Sequence, residues 1–185
     1  GLMVEAPPAS ARSTVVVRPC ALHEVESLRR LRARALADAP DAYRQTVAEH
    51  ERVRSAAWRR HFEARAAAGD ATLIAEAGGE WIGFVFAIRQ DDGAGRLGGM
   101  WIAPEARRCG AGRALVSAAL AWLRAGDVRR VTVLVPDGCD AATALLRSAG
   151  FAPTGERDEI RPGLAAEEFA ITLPPKSLRP PVVAG

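Results

Sequence analysis

Arg107, Arg108 and Arg113 bracket a Cys-Gly-Ala-Gly run, Cys109–Gly112. An amphipathic segment follows at once, with Leu115, Val116, Ala119, Leu120 and Leu123 at helical spacing. Gly110 and Gly112 permit a tight turn and close backbone approach to a ligand. The first N–H groups of a helix have no intrahelical acceptor and stand at the positive end of its dipole. Three guanidinium groups add fixed charge. The chemistry this composition suits is the binding of a phosphate or pyrophosphate. Two familiar phosphate loops do not fit: the P-loop needs a lysine that is absent here, and the dinucleotide fingerprint needs a glycine where Leu115 stands.

Residues able to move protons are scattered. Tyr43, the only tyrosine, falls in a loop and is the one catalytic candidate; a packed aromatic is the competing reading. Asp41 and Glu49 flank it and read as cap or solvent-facing charges. His50 and His61 read as surface histidines sharing one helix face, and Glu76 as a solvated turn residue. Cys20, Cys109 and Cys139 are far apart and odd in number, which gives neither a disulfide framework nor a metal-ligand spacing. Cys109 differs from the other two in standing among arginines at a helix start, where a thiol that reaches solvent is reactive.

The elements that must position these residues follow from periodicity. Thr14–Arg18 reads as a strand, Ala21–Ala37 as a helix, Asp38–Thr46 as a loop and Ala48–Ala68 as a second helix. Ala71–Glu76 and Glu80–Arg89 form a hairpin through Gly78-Gly79, and Arg96–Ile102 is the strand leading into the arginine-glycine loop. Gly112–Arg124 is helical, Val131–Val135 a strand buried on both faces, and Ala141–Ala149 a helix that Asp137 or Asp140 caps and Gly150 ends. Phe151–Asp158 and Glu167–Leu173 close the sheet. Residues 1–13 read as a disordered arm, 14–173 as a single domain and 174–185 as a Pro-rich tail.

The composition is globular, with 49% hydrophobic and 25% charged residues in a chain of 185. A net charge of +3 does not argue for nucleic acid. The second helix interleaves Arg52, Arg54, Arg59, Arg60 and Arg65 with Glu49, Glu51 and Glu63, a solvated face rather than a basic patch. Neither a membrane span nor a signal peptide is visible, so a cytoplasmic protein is expected.

The run Arg107-x-x-Gly110-x-Gly112 after Ile102-Ala103-Pro104, with Ala142-x-x-Leu145 and Gly150-Phe151 further on, resembles the GNAT superfamily of N-acetyltransferases. The stretch Leu31–Tyr43 is similar to one that many members carry before the second helix. The resemblance implies an α/β (α+β) GNAT fold: a central mixed, mostly antiparallel sheet with splayed parallel strands, flanked by helices. It implies acetyl-CoA as cosubstrate and no metal. The backbone of Met100, Trp101 and Ile102 would hold the pantetheine arm. Arg107 opens the pyrophosphate motif, and the amides of Arg108, Cys109, Gly110, Ala111, Gly112 and Arg113 would complete it.

The partner it implies is an amine acceptor, a small molecule or a peptide, with no nucleic acid and no membrane; a homodimer is left open. The chain departs from the pattern at the catalytic positions. Leu146 stands where a tyrosine commonly protonates the leaving thiolate, and Cys139 where asparagine is common. Arg96, Leu97, Gly98 and Gly99 stand where a carboxylate base often sits. Gly98-Gly99 is either a bulge or room for a bulky acceptor. An acyl-CoA-binding protein with little transferase activity is therefore the alternative function.

Overall fold

The structure, a computed structural model, describes residues 14–176. The expected arm over residues 1–13, and all of the expected tail beyond residue 176, lie outside the described residues.

The strands are β1 (Val16–Pro19), β2 (Ala71–Ala77), β3 (Glu80–Arg89), β4 (Gly95–Ile102), β5 (Arg130–Pro136), β6 (Ala152–Arg161) and β7 (Leu164–Thr172). The helices are α1 (Val25–Asp38), α2 (Val47–Arg52), α3 (Ser55–Ala67), α4 (Ala111–Ala125) and α5 (Asp140–Ser148). One seven-stranded sheet runs β1-β2-β3-β4-β5-β7-β6. Only β4 and β5 are parallel, and α4 is the crossover that parallel pairing requires. Gly78 and Gly79, at φ 59 and 80, make the tight β2–β3 turn.

Each face of the sheet carries its own core. Leu115, Val116, Ala119 and Leu123 of α4 pack on Leu73, Ala75, Val85, Ala87 and Leu97. On the other face Leu28, Leu31, Ala35 and Leu36 of α1 pack on Ile74, Phe84 and Trp101. Leu97 and Trp101 are four apart in one strand, so a regular pleat would put both on the same face. They face opposite cores because β4 bulges: Phe86 pairs with Gly98 but Phe84 pairs with Trp101, leaving one extra residue on β4. Gly99, at φ 64, supplies the left-handed turn. An alanine Cβ there would stand 2.6 Å from the Phe86 ring and 3.2 Å from Arg32. Gly98-Gly99 is thus a bulge, with no room opened by Gly99.

Several expectations are corrected. The single helix over Ala48–Ala68 is two, because Val53 and Arg54 are extended (ψ 116 and 151). The break docks α2 against α1: Arg29 donates to the Val53 carbonyl at 3.1 Å, and His50 Nε2 meets the Arg29 carbonyl at 3.0 Å. His50 is accordingly a core residue, 2% exposed, with Trp58 edge-on to its ring. It shares no helix with His61. Glu76 is no free turn residue; Arg18 bridges it to Glu24 at 2.8 and 2.7 Å. Neither Asp137 nor Asp140 caps α5, whose N-cap is Cys139; Asp137 pairs with Arg157 instead. Val131 and Val135 are buried, but Thr132, Val133 and Leu134 are half-exposed.

Candidate active site

That half-exposure marks the site. β4 and β5 pair only over Gly95–Leu97 and Val131–Val133. Beyond the bulge the strands separate. The Ala103 amide donates to Ile82 of β3 at 2.8 Å, so odd-numbered residues here turn their polar groups to β3. By the strand's period of two, Met100 and Ile102 turn theirs to the gap left by β5. Their carbonyls meet side chains rather than a strand. Tyr43 donates its hydroxyl to the Met100 carbonyl at 3.2 Å, and Arg107 Nε donates to the Ile102 carbonyl at 3.1 Å.

Tyr43 comes from the loop after α1 and is buried; burial, the main cause, holds its phenol well above the usual tyrosine range. Asp38, the last residue of α1, accepts from the Trp101 indole at 2.9 Å and from Arg107 at 2.6 Å. Those donors, the indole first, hold its carboxyl below the usual range. Arg107 is therefore a staple between α1 and β4, and its charge is already paired.

The rest of the loop fits an anion. Arg108 and Gly110 both have positive φ, 65 and 84, and α4 starts immediately after. No side chain caps the helix, and its first turn holds no acidic residue. Nothing lies within 4 Å of where a Gly110 Cβ would stand, so the space before the helix is open. Arg108, Cys109 and Arg113 are exposed, and neither of these arginines forms an ion pair among the described residues. The Cys109 thiol donates to the Ala106 carbonyl at 2.6 Å. Gly112 serves packing: its absent Cβ leaves room for Leu145 of α5, which would lie 2.9 Å away.

The profile of the acetyltransferase (GNAT) family matches residues 32–151, from α1 through the whole loop and the α5 segment. The chain belongs to the GNAT family. It is an acetyltransferase domain, and acetyl-CoA is the cosubstrate this family uses. No curated protein matches it in sequence. Solved structures share its fold.

A GNAT acetyltransferase from Streptococcus pneumoniae is 20% identical, with 87% of this chain and 100% of that one covered and a TM-score of 0.74. For a ribosomal-protein-alanine N-acetyltransferase from Brucella melitensis the values are 21%, 85%, 99% and 0.72. For a phosphinothricin acetyltransferase from Sinorhizobium meliloti, solved with acetyl-CoA, they are 19%, 91%, 96% and 0.72.

Measured against GNAT expectations, the catalytic positions are apolar or cationic. Leu146 is 1% exposed and belongs to the α4 core, so its side chain reaches no solvent or ligand. Cys139 is half-buried at the start of α5, its thiol pushed up by burial first and by Asp140 and Asp41 after it. A cavity of about 790 Å³ opens between α1, α3 and the sheet, beside the β4 bulge. Among its lining residues are Arg32, Trp58, His61, Phe62, Phe86 and Arg96.

Two residues of this GNAT site escaped sequence reasoning. Asp38 lies within the Leu31–Tyr43 resemblance, but nothing local marks it as the acceptor for Trp101 and Arg107. Arg32 had a signal: it lies four residues after Leu28 and four before Leu36, a charge on the buried stripe of α1. Among the described residues no group of three or more His, Cys, Asp or Glu could hold a metal. No helix there is long and apolar enough to cross a membrane.

Proposed function

We propose that this GNAT domain is an N-acetyltransferase that moves an acetyl group from acetyl-CoA to a primary amine of a small molecule or peptide by direct attack. The observation that carries the reading is the continuity of two features. The edge of β4 beyond the bulge has no strand partner, and it leads within a few residues to the uncapped N-terminus of α4. An extended pantetheine arm needs the first and a pyrophosphate the second. The Met100 and Ile102 backbone would hold the arm, and the Arg108–Arg113 amides with the Arg108 and Arg113 side chains the pyrophosphate.

The cosubstrate supplies an activated acyl carbon as a thioester. The amine nitrogen forms the new C–N bond as the C–S bond breaks, and the proton lost by the amine balances the one gained by the thiolate. This chain's part is to orient and to exclude water. Tyr43 and Arg107 hold the Met100 and Ile102 carbonyls, which keeps the amides of the same residues aimed into the gap. With Leu146 in the core and no carboxylate on β4, proton transfer runs through water.

The same two features favour a second reading, an acyl-CoA-binding protein with little turnover. We assign the catalytic domain to 14–173 and place it in the cytoplasm, supported by three free cysteines.

Gly110→Asp tests the site. The side chain enters open space, and aspartate tolerates both left-handed backbone and a helix N-cap. It sets a negative charge where the pyrophosphate should lie, while Gly110→Asn adds the same bulk without charge. Calorimetry should show acetyl-CoA affinity down about 10²-fold in the Asp variant, as expected for like charges about 5 Å apart at an effective dielectric of about 20, and near wild type in the Asn variant. Equal affinities would remove the anion site. Release of free CoA thiol with a panel of amines then separates the two readings.

A further inference from the structure

The cavity beside the bulge holds an arginine with nothing to bond. Arg32 rises from the buried stripe of α1 with its Cζ 4.5 Å from the Tyr43 ring centroid and 5.7 Å from that of Phe86. Those rings support the faces of the guanidinium and leave its edge N–H groups unanswered. Its Nη1 is buried and has no hydrogen-bond partner among the described residues, nor does Arg32 form an ion pair there. Among the described residues the only carboxylate lining the cavity is engaged elsewhere: Asp70 lies 2.6 Å from Arg65 and accepts the Arg89 amide at 2.7 Å. Arg96, exposed on the lining, also lacks an ion pair among the described residues.

A guanidinium whose Nη1 is buried and unpaired is costly. A carboxylate removes that cost with two parallel charge-assisted hydrogen bonds, which the planar fork matches. Nη1 also lies 3.2 Å from where a Gly99 Cβ would stand, so the anion site adjoins the bulge at which β4 leaves β5. A carboxylate held there puts an amine one carbon away beside the gap. Trp58, Phe62, Phe86 and Leu28 make much of the remaining wall apolar and aromatic, with Gln45, His61, Arg65 and Thr72 as its further polar residues. A polyamine would meet uncompensated positive charge instead.

We propose that Arg32 is the specificity-determining residue of the acceptor site, and that the acceptor is a free α-amino acid with an aromatic or large apolar side chain. This rests on the N-acetyltransferase reading, and the experiment separates the two. Acetyl-CoA turnover is measured with matched pairs that differ only in the carboxylate: L-phenylalanine against phenethylamine, and L-tryptophan against tryptamine. Calorimetry measures 3-phenylpropionate, which keeps the ring and carboxylate but has no amine.

Wild-type kcat/KM should favour the amino acid by 10²-fold or more in each pair. Arg32→Met should bring the ratio towards one and abolish 3-phenylpropionate binding, while Arg32→Lys, with charge but no fork, should fall between. The wild-type ratio needs no variant, so misfolding of Arg32→Met leaves the test intact. Turnover with equal kcat/KM in both pairs and no 3-phenylpropionate binding overturns the Arg32 assignment and leaves the acetyltransferase. Binding of 3-phenylpropionate that depends on Arg32, with no amine acetylated, keeps the carboxylate site and overturns the transferase.

Discussion

Gly99→Ala, set against Gly98→Ala, isolates the bulge that opens the site. Residue 99 sits at φ 64, where an L side chain costs roughly 1–2 kcal/mol. Its Cβ would stand 2.6 Å from Cδ2 and Cε2 of Phe86, well inside the roughly 3.5–4.0 Å of a comfortable carbon contact. Phe86 cannot swing away freely, with Phe84 at 5.4 Å between ring centroids and Arg32 over its face. Forcing the extra carbon in should cost about 1–3 kcal/mol more. The sum is about 2–5 kcal/mol, and at roughly 2–4 °C per kcal/mol for a chain of this size the Tm should fall by about 10 °C.

Gly98, one residue earlier, has no such backbone demand, and its Cβ would meet only Ile88 Cδ1 at an ordinary 3.7 Å. Gly98→Ala should stay within about 1 kcal/mol of wild type. Urea titrations followed by circular dichroism measure both, with acetyl-CoA affinity read on the same samples. Gly99→Ala as stable as wild type, or the two variants equally destabilised, would refute the bulge and with it the placement of Trp101 on the α1 face.

Three further predictions concern titratable and reactive groups. Tyr43→Phe should cost about 0.5–1.5 kcal/mol, because the Met100 carbonyl loses its donor; since burial holds the phenol protonated, the pH–rate profile should have no descending limb near pH 10 that this variant removes, and one that it did remove would make Tyr43 the acid. Burial lowers the folded-state pKa of His50 below its ordinary 6.5, so the unfolded chain binds more protons between the two values. Stability should then fall as pH drops through about 6.5 and level off below the folded-state pKa; His50→Gln should flatten that region, and an unchanged slope would contradict the buried neutral imidazole. With iodoacetamide, Cys109, which is exposed, should label faster than Cys20, whose thiol burial pushes up to about 12, and CoA should slow Cys109 alone. Rapid Cys109 labelling unaffected by saturating CoA would remove the pyrophosphate from this loop.

The turn into α4 was legible because its signals are local: glycines, arginines and a helical stripe within one short run. The mixed sheet was legible for a similar reason, since hairpin glycines and one crossover helix leave few topologies. What escaped depends on contacts between distant segments. His50 has the same local sequence whether α2 faces water or α1; only docking on Arg29 and Trp58 buries it. The Val53–Arg54 break is likewise set by Arg29, which is distant in sequence. Gly112 has a packing role that the run itself does not show, because Leu145 approaches it from another helix. Gly98-Gly99 left two readings open that only the register against β3 separates.

The register also explains how one helix braces both the β4 edge and the loop before α4. The bulge turns Trp101 to the α1 face, where its indole meets Asp38 at the end of that helix. Asp38 holds Arg107, which holds the Ile102 carbonyl, so the start of the arginine-glycine loop is fixed to α1. Fewer than two turns earlier on the same helix, Arg32 stacks on Tyr43, whose hydroxyl holds the Met100 carbonyl. Both carbonyls that face the gap are therefore braced, each through one intermediate, by residues of α1. A helix is rigid over this length, so a shift of α1 moves the loop, the edge of β4 and the cavity wall together. Under the proposed N-acetyltransferase reading that coupling would serve a two-substrate site, where the two reacting atoms must be held to within a fraction of an ångström of each other while neither is bonded to the protein.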